Sequence, residues 1–571
     1  MAVFPNNAFK PENADGGPLV KTEGGQVRGR IATSFTGRRY ASFQGIPYAS
    51  PPVRNLRFKL LWHVSLLLAG RCYQRLCAPQ APQAAEPWQG VLNASAPGHG
   101  CPQLDHRSGC VVGHEDCLTL NVYTTQLEGK PQPVLVWIHG GSFANGSSRL
   151  YQPDVLLDQQ LVVVTVNYRL GALGFLCWPR AGVPGNMGLR DQSLALQWVR
   201  RNIAAFGGDA GCVTLAGQSA GAASVIFHML SPLSKGLFDR ALCMSGSALC
   251  SWATPPHPEQ RALRLLRAAG LPAHLNPGAG SDAAAVAAFL AGPGAAPDVL
   301  VPRYYDALDP QEPVEPMLPV LAACVETEAE ACVGAFLPDA PSRLLAAGRV
   351  HRVPLLAGLT DGEANFLLLS RAQLLADLHM VEPVERTLRA LAAHSPPPVF
   401  LYLLSHQPRH SFWGTPLHLI NSLGVPGVPH GEDLAALFPL LPGEPPAGQR
   451  VPEDDSVRLY FATAVANFAR TGNPAPKTNE LMKEEWLPFK LEDQAFMNIS
   501  SVPKMQRNIM AGRIQFWREL LADLEMKRNK EISQKQPNHA AAALPMQSSC
   551  SFGGIIKDIS NSQRNQFPNV K

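Results

Sequence analysis

Between about residue 120 and residue 250 the apolar positions alternate between two rhythms. Short runs, Val134 to Ile138 and Leu161 to Val166, have strand length and are apolar but for Thr165, as expected of strands covered on both faces. Each ends in turn residues. From Asp191 onward the spacing becomes helical: Leu194 and Trp198 fall four apart, which predicts an amphipathic helix that stops before Phe206-Gly207-Gly208-Asp209. A third run, Val213 to Ala216, leads directly into Gly217. This alternation predicts an α/β fold with a parallel sheet and crossover helices. Pro255 to Pro302 is rich in Ala, Gly and Pro, and its central AAAVAAFLAG predicts a small-residue helix in an accessory segment over the sheet. From Met526 to Lys571 the apolar periodicity is lost while Asn, Gln, Ser and Lys accumulate, which predicts a disordered tail over 526–571. No internal repeat is found.

Composition narrows the field. The 571 residues are 46% hydrophobic and 16% charged, against a typical charged share of ~25%, with 48 Gly and 52 Pro. A large buried core is expected, and a coiled coil, a disordered acidic chain and a small disulfide scaffold are excluded. A net charge of +4 over this length is too dilute for a phosphate-tracking groove, so no nucleic-acid partner is expected. No apolar run reaches the ~18 residues of a membrane helix. The most lipid-like window, Leu60 to Gly70, is short and contains His63. The first twenty residues lack a basic stretch followed by an apolar one, so no secretory signal is read and the chain as written is expected in the cytoplasm.

Twelve cysteines form no C-x-x-C pair and no His/Cys cluster at zinc spacing, so no metal is expected. Cys101 and Cys117 flank a loop rich in Gly and charge. A bridge between them would be worth roughly 3 kcal/mol, and Cys110 inside the loop competes for it. Three N-x-S sequons, at Asn93, Asn145 and Asn498, are glycosylation candidates that fit a secreted protein. The sequons and the missing leader therefore point to different compartments.

The strongest chemical signal is Gly217-Gln218-Ser219-Ala220-Gly221, a G-x-S-x-G between a predicted strand and a predicted helix. Flanking glycines let neighbouring backbone approach a serine thrust out of a sharp turn. A serine hydroxyl is a weak nucleophile at neutral pH and needs a base, an orienting acid and donors for an oxyanion. His139-Gly140-Gly141-Ser142 follows a predicted strand upstream; the amides of Gly141, Ser142 and Ala220 form a candidate three-donor oxyanion hole.

These residues resemble the type-B carboxylesterase and cholinesterase group. So do Phe43-Gln44-Gly45-Ile46-Pro47-Tyr48 with Pro51-Pro52, Glu115-Asp116-Cys117-Leu118 leading to Asn121-Val122, and Asn167-Tyr168-Arg169-Leu170-Gly171. Phe206-Gly207-Gly208-Asp209 and Asn467-Phe468-Ala469-Arg470-Thr471-Gly472 extend the likeness over most of the chain. The resemblance implies an α/β-hydrolase fold over residues 1–525, with a large mostly parallel central sheet flanked by helices, and no cofactor. It implies a Ser, Glu, His order of catalytic residues and a Cys101–Cys117 disulfide. By local motif the acid falls on Glu363, in Gly358-Leu359-Thr360-Asp361-Gly362-Glu363, where Ala364 stands in place of the family's final glycine. The base falls on His430, in Pro429-His430-Gly431-Glu432-Asp433; His406, His410 and His418 are read as surface or loop residues.

The implied reaction is hydrolysis of a small-molecule carboxylic ester through an acyl-enzyme on Ser219. Pro102 to Asp116 holds no tryptophan for a quaternary ammonium, and Gln218 brings no negative charge beside the nucleophile, so acetylcholine is not the expected substrate. The Gln-Ser-Ala-Gly form is similar to insect esterases acting on neutral lipophilic or xenobiotic esters, juvenile-hormone esterase among them. Two departures stand out. Residues 60–77 look inserted, and the Glu363 to His430 interval is short for the family, with the shortening around 373–398. An alternative follows: a catalytically compromised member that serves as a ligand sink or a binding or adhesion protein.

Overall fold

The apolar runs form the interior of an eleven-stranded sheet in the computed structural model. The structure describes residues 16–34, 36–53, 57–58, 85–105, 108–179, 183–275, 282–308, 319–326, 334–363, 365, 376–394, 397–409, 427–438 and 451–535. From edge to edge the strands are Lys504–Arg507, Ala495–Ile499, Val399–Leu404, Leu355–Thr360, Arg240–Met244, Gly208–Gln218, Gln132–Ile138, Val162–Val166, Thr119–Thr124, Arg39–Pro47 and Arg30–Thr33. The strands from Ala495–Ile499 through Val162–Val166 pair in parallel, and the antiparallel pairs lie toward the two edges.

Successive strand residues point to opposite faces, and the core divides accordingly. Val134, Val136, Ile138, Val162, Val164 and Val166 join the hydrophobic cluster on one face, while Leu135, Trp137 and Val163 join that on the other. Helix Met187–Asn202 buries Leu194 and Trp198, and Gly207, at φ 75°, reverses the chain into the next strand. Helix Ala220–Leu230 is buried along its whole length, and helix Pro452–Thr471 supplies Phe461, Val465 and Phe468 to the second face. The Ala-rich segment contains a helix at Ala283–Ala291, with Val286 buried.

The chain is helical further along than apolar periodicity indicates. Helix Ala511–Lys535 runs past residue 526, where Lys, Glu and Arg favour a helix without an apolar rhythm, and the rest of the expected tail, 536–571, lies outside the described residues. Residues 60–77 lie outside the described residues. In the interval expected to be shortened, a π-turn at Asp377–Val381 continues into helix Glu382–Ala393 and then into strand Val399–Leu404. Cys101 and Cys117 are bonded, with Cα atoms 5.1 Å apart, and Cys110 is an exposed free thiol. Among the described residues no helix is long and apolar enough to cross a membrane.

Candidate active site

Open parallel sheets gather chemistry at the carboxyl ends of their strands, where backbone turns away and side chains from several strands converge. Ser219 directly follows strand Gly208–Gln218 and precedes helix Ala220–Leu230, at φ 58° and ψ −121°. A non-glycine residue rarely takes positive φ, and here the surroundings hold it there. The Ser219 amide donates to Met244 O at 2.8 Å, and Ser219 O accepts from Ala223 N at 2.9 Å. The flanking glycines are sterically required. A Cβ at Gly221 would sit 2.1 Å from Ile138 O, and one at Gly217 would sit 2.5 Å from Gly221 backbone.

The loop after strand Gln132–Ile138 packs onto this elbow. A Cβ at Gly140 would lie 2.7 Å from Gln218 O and 3.1 Å from Ser219 Cβ. Gly141, Ser142 and Phe143 have φ of 107°, 56° and 54°, a tight turn closed by Ala144 N and Asn145 N on Gly141 O. Ala220 opens its helix, so its N–H has no carbonyl one turn earlier in the helix. His139 is buried and stacked on Tyr168 with ring centroids 4.4 Å apart; burial pulls its pKa down to about 4, so the ring is neutral.

Glu363 is buried and fully engaged. Its Oε1 accepts from Ser245 Oγ at 2.6 Å and Thr360 N at 2.8 Å, and its Oε2 faces His430 Nδ1 at 2.6 Å. The loops bearing Glu363 and His430 are tied by Gly362 N to Val428 O at 3.0 Å and Val428 N to Asp361 Oδ1 at 2.6 Å. Nε2 of His430 meets the side-chain amide Nε2 of Gln218, the neighbour of Ser219, at 2.9 Å. With Nδ1–H directed at the carboxylate, Nε2 holds a lone pair and the Gln218 amide donates to it. The structure thus brings Glu363 and His430 together and sets the ring against the elbow. Among the described residues, Ser219 Oγ makes no hydrogen bond.

Four residues at this site were not singled out as its parts from sequence. Ser245 follows strand Arg240–Met244 as Ser219 follows its own, at φ 52°; that placement was the available signal. Thr360 acts through its amide. Below them Tyr402 donates its hydroxyl to Asp433 Oδ2 at 2.8 Å, and burial, reinforced by the Glu363 charge, pushes the Asp433 pKa up to about 7. His406 pairs with Asp454 at 2.7 Å, away from this cluster, while His410 and His418 lie outside the described residues. Of the sequons, Asn93 is exposed, Asn145 is part of the turn on Gly141, and Asn498 Oδ1 accepts from Ser405 Oγ at 2.6 Å.

A largely parallel sheet with a serine on a strained strand-to-helix turn and a buried carboxylate–imidazole pair at the same strand ends defines the α/β-hydrolase class. The carboxylesterase family matches residues 16–60, 79–373 and 369–517, and the chain belongs to that family. It is 43% identical over 267 residues to esterase FE4 of Myzus persicae, covering 46% of this chain and 44% of that protein. With esterase B1 of Culex pipiens the identity is 46% over 239 residues, covering 41% and 40%. With juvenile hormone esterase of Tribolium castaneum it is 36% over 353 residues, covering 61% and 55%. The chain spans about half the length of these relatives.

Proposed function

We propose that the chain is a serine carboxylic-ester hydrolase acting on neutral lipophilic esters. The observation that carries this reading is the chain of contacts from Glu363 through His430 to the elbow bearing Ser219. Esterase names among the relatives support it, and so does the absence of charge on Gln218, which favours neutral over cationic esters. In the reaction, His430 Nε2 takes the Ser219 proton as Oγ bonds to the ester carbonyl carbon. Glu363 stabilises the imidazolium, and the amides of Gly141, Ser142 and Ala220 hold the oxyanion. The alcohol leaves with the proton from His430; water then repeats the sequence and frees the acid.

The test is hydrolysis of p-nitrophenyl butyrate by the 571-residue protein, abolished by Ser219→Ala, with fluorophosphonate labelling of Ser219. No labelling and no turnover would favour a binding or adhesion role. The Gln218 contact favours one further reading, a stoichiometric sink: with Nε2 occupied, attack by Ser219 and attack by water are both slowed, and an acyl-enzyme once formed persists. Labelling without turnover is its signature.

A further inference from the structure

Two buried thiols far apart in sequence meet away from the active site. Cys177, just beyond helix Gly171–Phe175, and Cys324, in the segment Val320–Glu326, are 2% and 3% exposed. Each Sγ lies on the same carbonyl, Pro184 O, at 3.6 and 3.5 Å, and the two thiols are within hydrogen-bonding reach of each other. The residue between them is Gly185, at φ 86°. A Cβ there would fall 2.3 Å from Cys324 Sγ and 3.2 Å from Cys177 Sγ, so the absent side chain is the space the sulfurs share.

The juxtaposition is held by polar contacts rather than by the thiols themselves. Asn186 Nδ2 donates to Cys324 O at 2.7 Å, and its Oδ1 accepts from Cys324 N at 2.9 Å. Glu326, two residues on, accepts from Asn186 Nδ2 at 2.6 Å and from Arg190 Nη2 at 2.5 Å. Cys243, equally buried, instead donates to the main-chain carbonyl of Ala222 at 3.6 Å and packs as a small apolar residue.

We propose that Cys177 and Cys324 form a second disulfide when the chain folds under oxidising conditions, fastening the Val320–Glu326 segment to the turn that follows helix Gly171–Phe175. One thiol loses its proton and its thiolate attacks a low-molecular-weight disulfide such as oxidised glutathione, releasing one glutathione thiolate. The second cysteine, once deprotonated, attacks the resulting mixed disulfide, forms the Sγ–Sγ bond and releases the other glutathione. Two electrons and two protons thus pass from the cysteines to two glutathione molecules. The adjoining Cys177 thiol, and then burial, hold the Cys324 thiol protonated in the native state, so exchange takes place before the pair is enclosed. Phe175, two residues before Cys177, packs on Phe143 of the oxyanion turn at 4.8 Å, so the bridge anchors a wall of the candidate site.

Peptide mapping tests the bridge on the whole chain, independently of any ester hydrolysis. The denatured protein is refolded with reduced and oxidised glutathione, its free thiols are alkylated without reduction, and it is cut with trypsin and a glutamate-specific protease. Cleavage after Glu326 separates Cys324 from Cys332. The expected product is the Leu170–Arg180 peptide joined to the peptide ending at Glu326, absent when refolding is done with excess dithiothreitol. Recovery of Cys177 and Cys324 both alkylated, in material whose Cys101–Cys117 bond is intact, overturns the proposal. So does pairing of Cys177 with Cys332. A Cys324→Ala chain treated alike serves as control, with Cys177 expected fully alkylated.

Discussion

Nε2 of His430 lies 2.9 Å from Nε2 of Gln218, so the lone pair that a serine hydroxyl would use is capped by the amide of the adjacent residue. In the proposed mechanism the Gln218 amide and the Ser219 hydroxyl call on the same ring nitrogen. On the proposed mechanism, proton transfer from Ser219 would need the amide to swing aside, while an amide turned by half a rotation would present Oε1 to an imidazolium.

Removing the cap separates these effects. Gln218→Ala is expected to raise the rate of fluorophosphonate labelling about fivefold, the equivalent of one neutral hydrogen bond of ~1 kcal/mol. Gln218→Glu places a carboxylate at the ring and favours imidazolium, so the acid limb of the kcat/KM profile moves to higher pH by about one unit. A fall in labelling for Gln218→Ala would show that the amide holds the ring in its productive place.

The carboxylate offers a second test. Ser245 Oγ and Thr360 N both donate to Glu363 Oε1, so Ser245→Ala removes one of two donors and leaves the other. A hydrogen bond to a charged group contributes roughly 1.5–3 kcal/mol, partly recovered by Thr360. The expected loss is about tenfold in kcat with KM unchanged, read with p-nitrophenyl esters over a substrate range. An unchanged kcat would mean that Thr360 alone orients Glu363.

The elbow was legible because its glycines obey a local steric rule, and the contacts at Gly217 and Gly221 are those the pattern requires. Strand-length runs at Val134 to Ile138 and Leu161 to Val166 were legible for a similar reason, since burial on both faces removes polar residues. Strand order was not. That Gly208–Gln218 lies between Gln132–Ile138 and Arg240–Met244 follows from crossovers that leave no local trace. Ser245 reaches Glu363 through pairing of Arg240–Met244 with Leu355–Thr360, and Gln218 reaches His430 across more than two hundred residues. Only the assembled sheet encodes these contacts. Between Met526 and Lys535 the helix continues with no apolar rhythm to announce it, because periodicity reports an apolar face and not helicity itself.

Two glycine substitutions of opposite consequence check the steric account of the elbow. Gly140→Ala places a methyl 2.7 Å from the main-chain O of Gln218, which cannot give way, 2.8 Å from Gln218 Oε1 and 3.1 Å from Ser219 Cβ. Displacement of the serine by a fraction of an ångström is expected to lower kcat about a hundredfold. Gly512→Ala, in a helix with nothing within 4 Å of the new methyl, is expected to leave activity unchanged and add up to about 1 kcal/mol of stability. Equal activities for the two variants would refute the close packing of the loop on the elbow.

The pH dependence of stability isolates Asp433. Its carboxyl, normally at 3.8, is pushed up to about 7 by burial, so between these values the folded chain holds a proton that the unfolded chain has released. Its contribution is therefore greatest below about pH 4 and is lost as pH rises through about 7. His139 and His228, drawn down to about 4 and about 3 by burial, act with the opposite slope below pH 6.5, since there the unfolded chain binds the extra protons. Asp433→Asn keeps a neutral acceptor for the Tyr402 hydroxyl and removes only the first term; the histidine terms cancel between the two proteins. Urea unfolding is expected to give similar stabilities at pH 4.5, with the variant ahead by about 1–4 kcal/mol at pH 8.5. Parallel stability curves for the two proteins would mean that Asp433 ionises in place without cost.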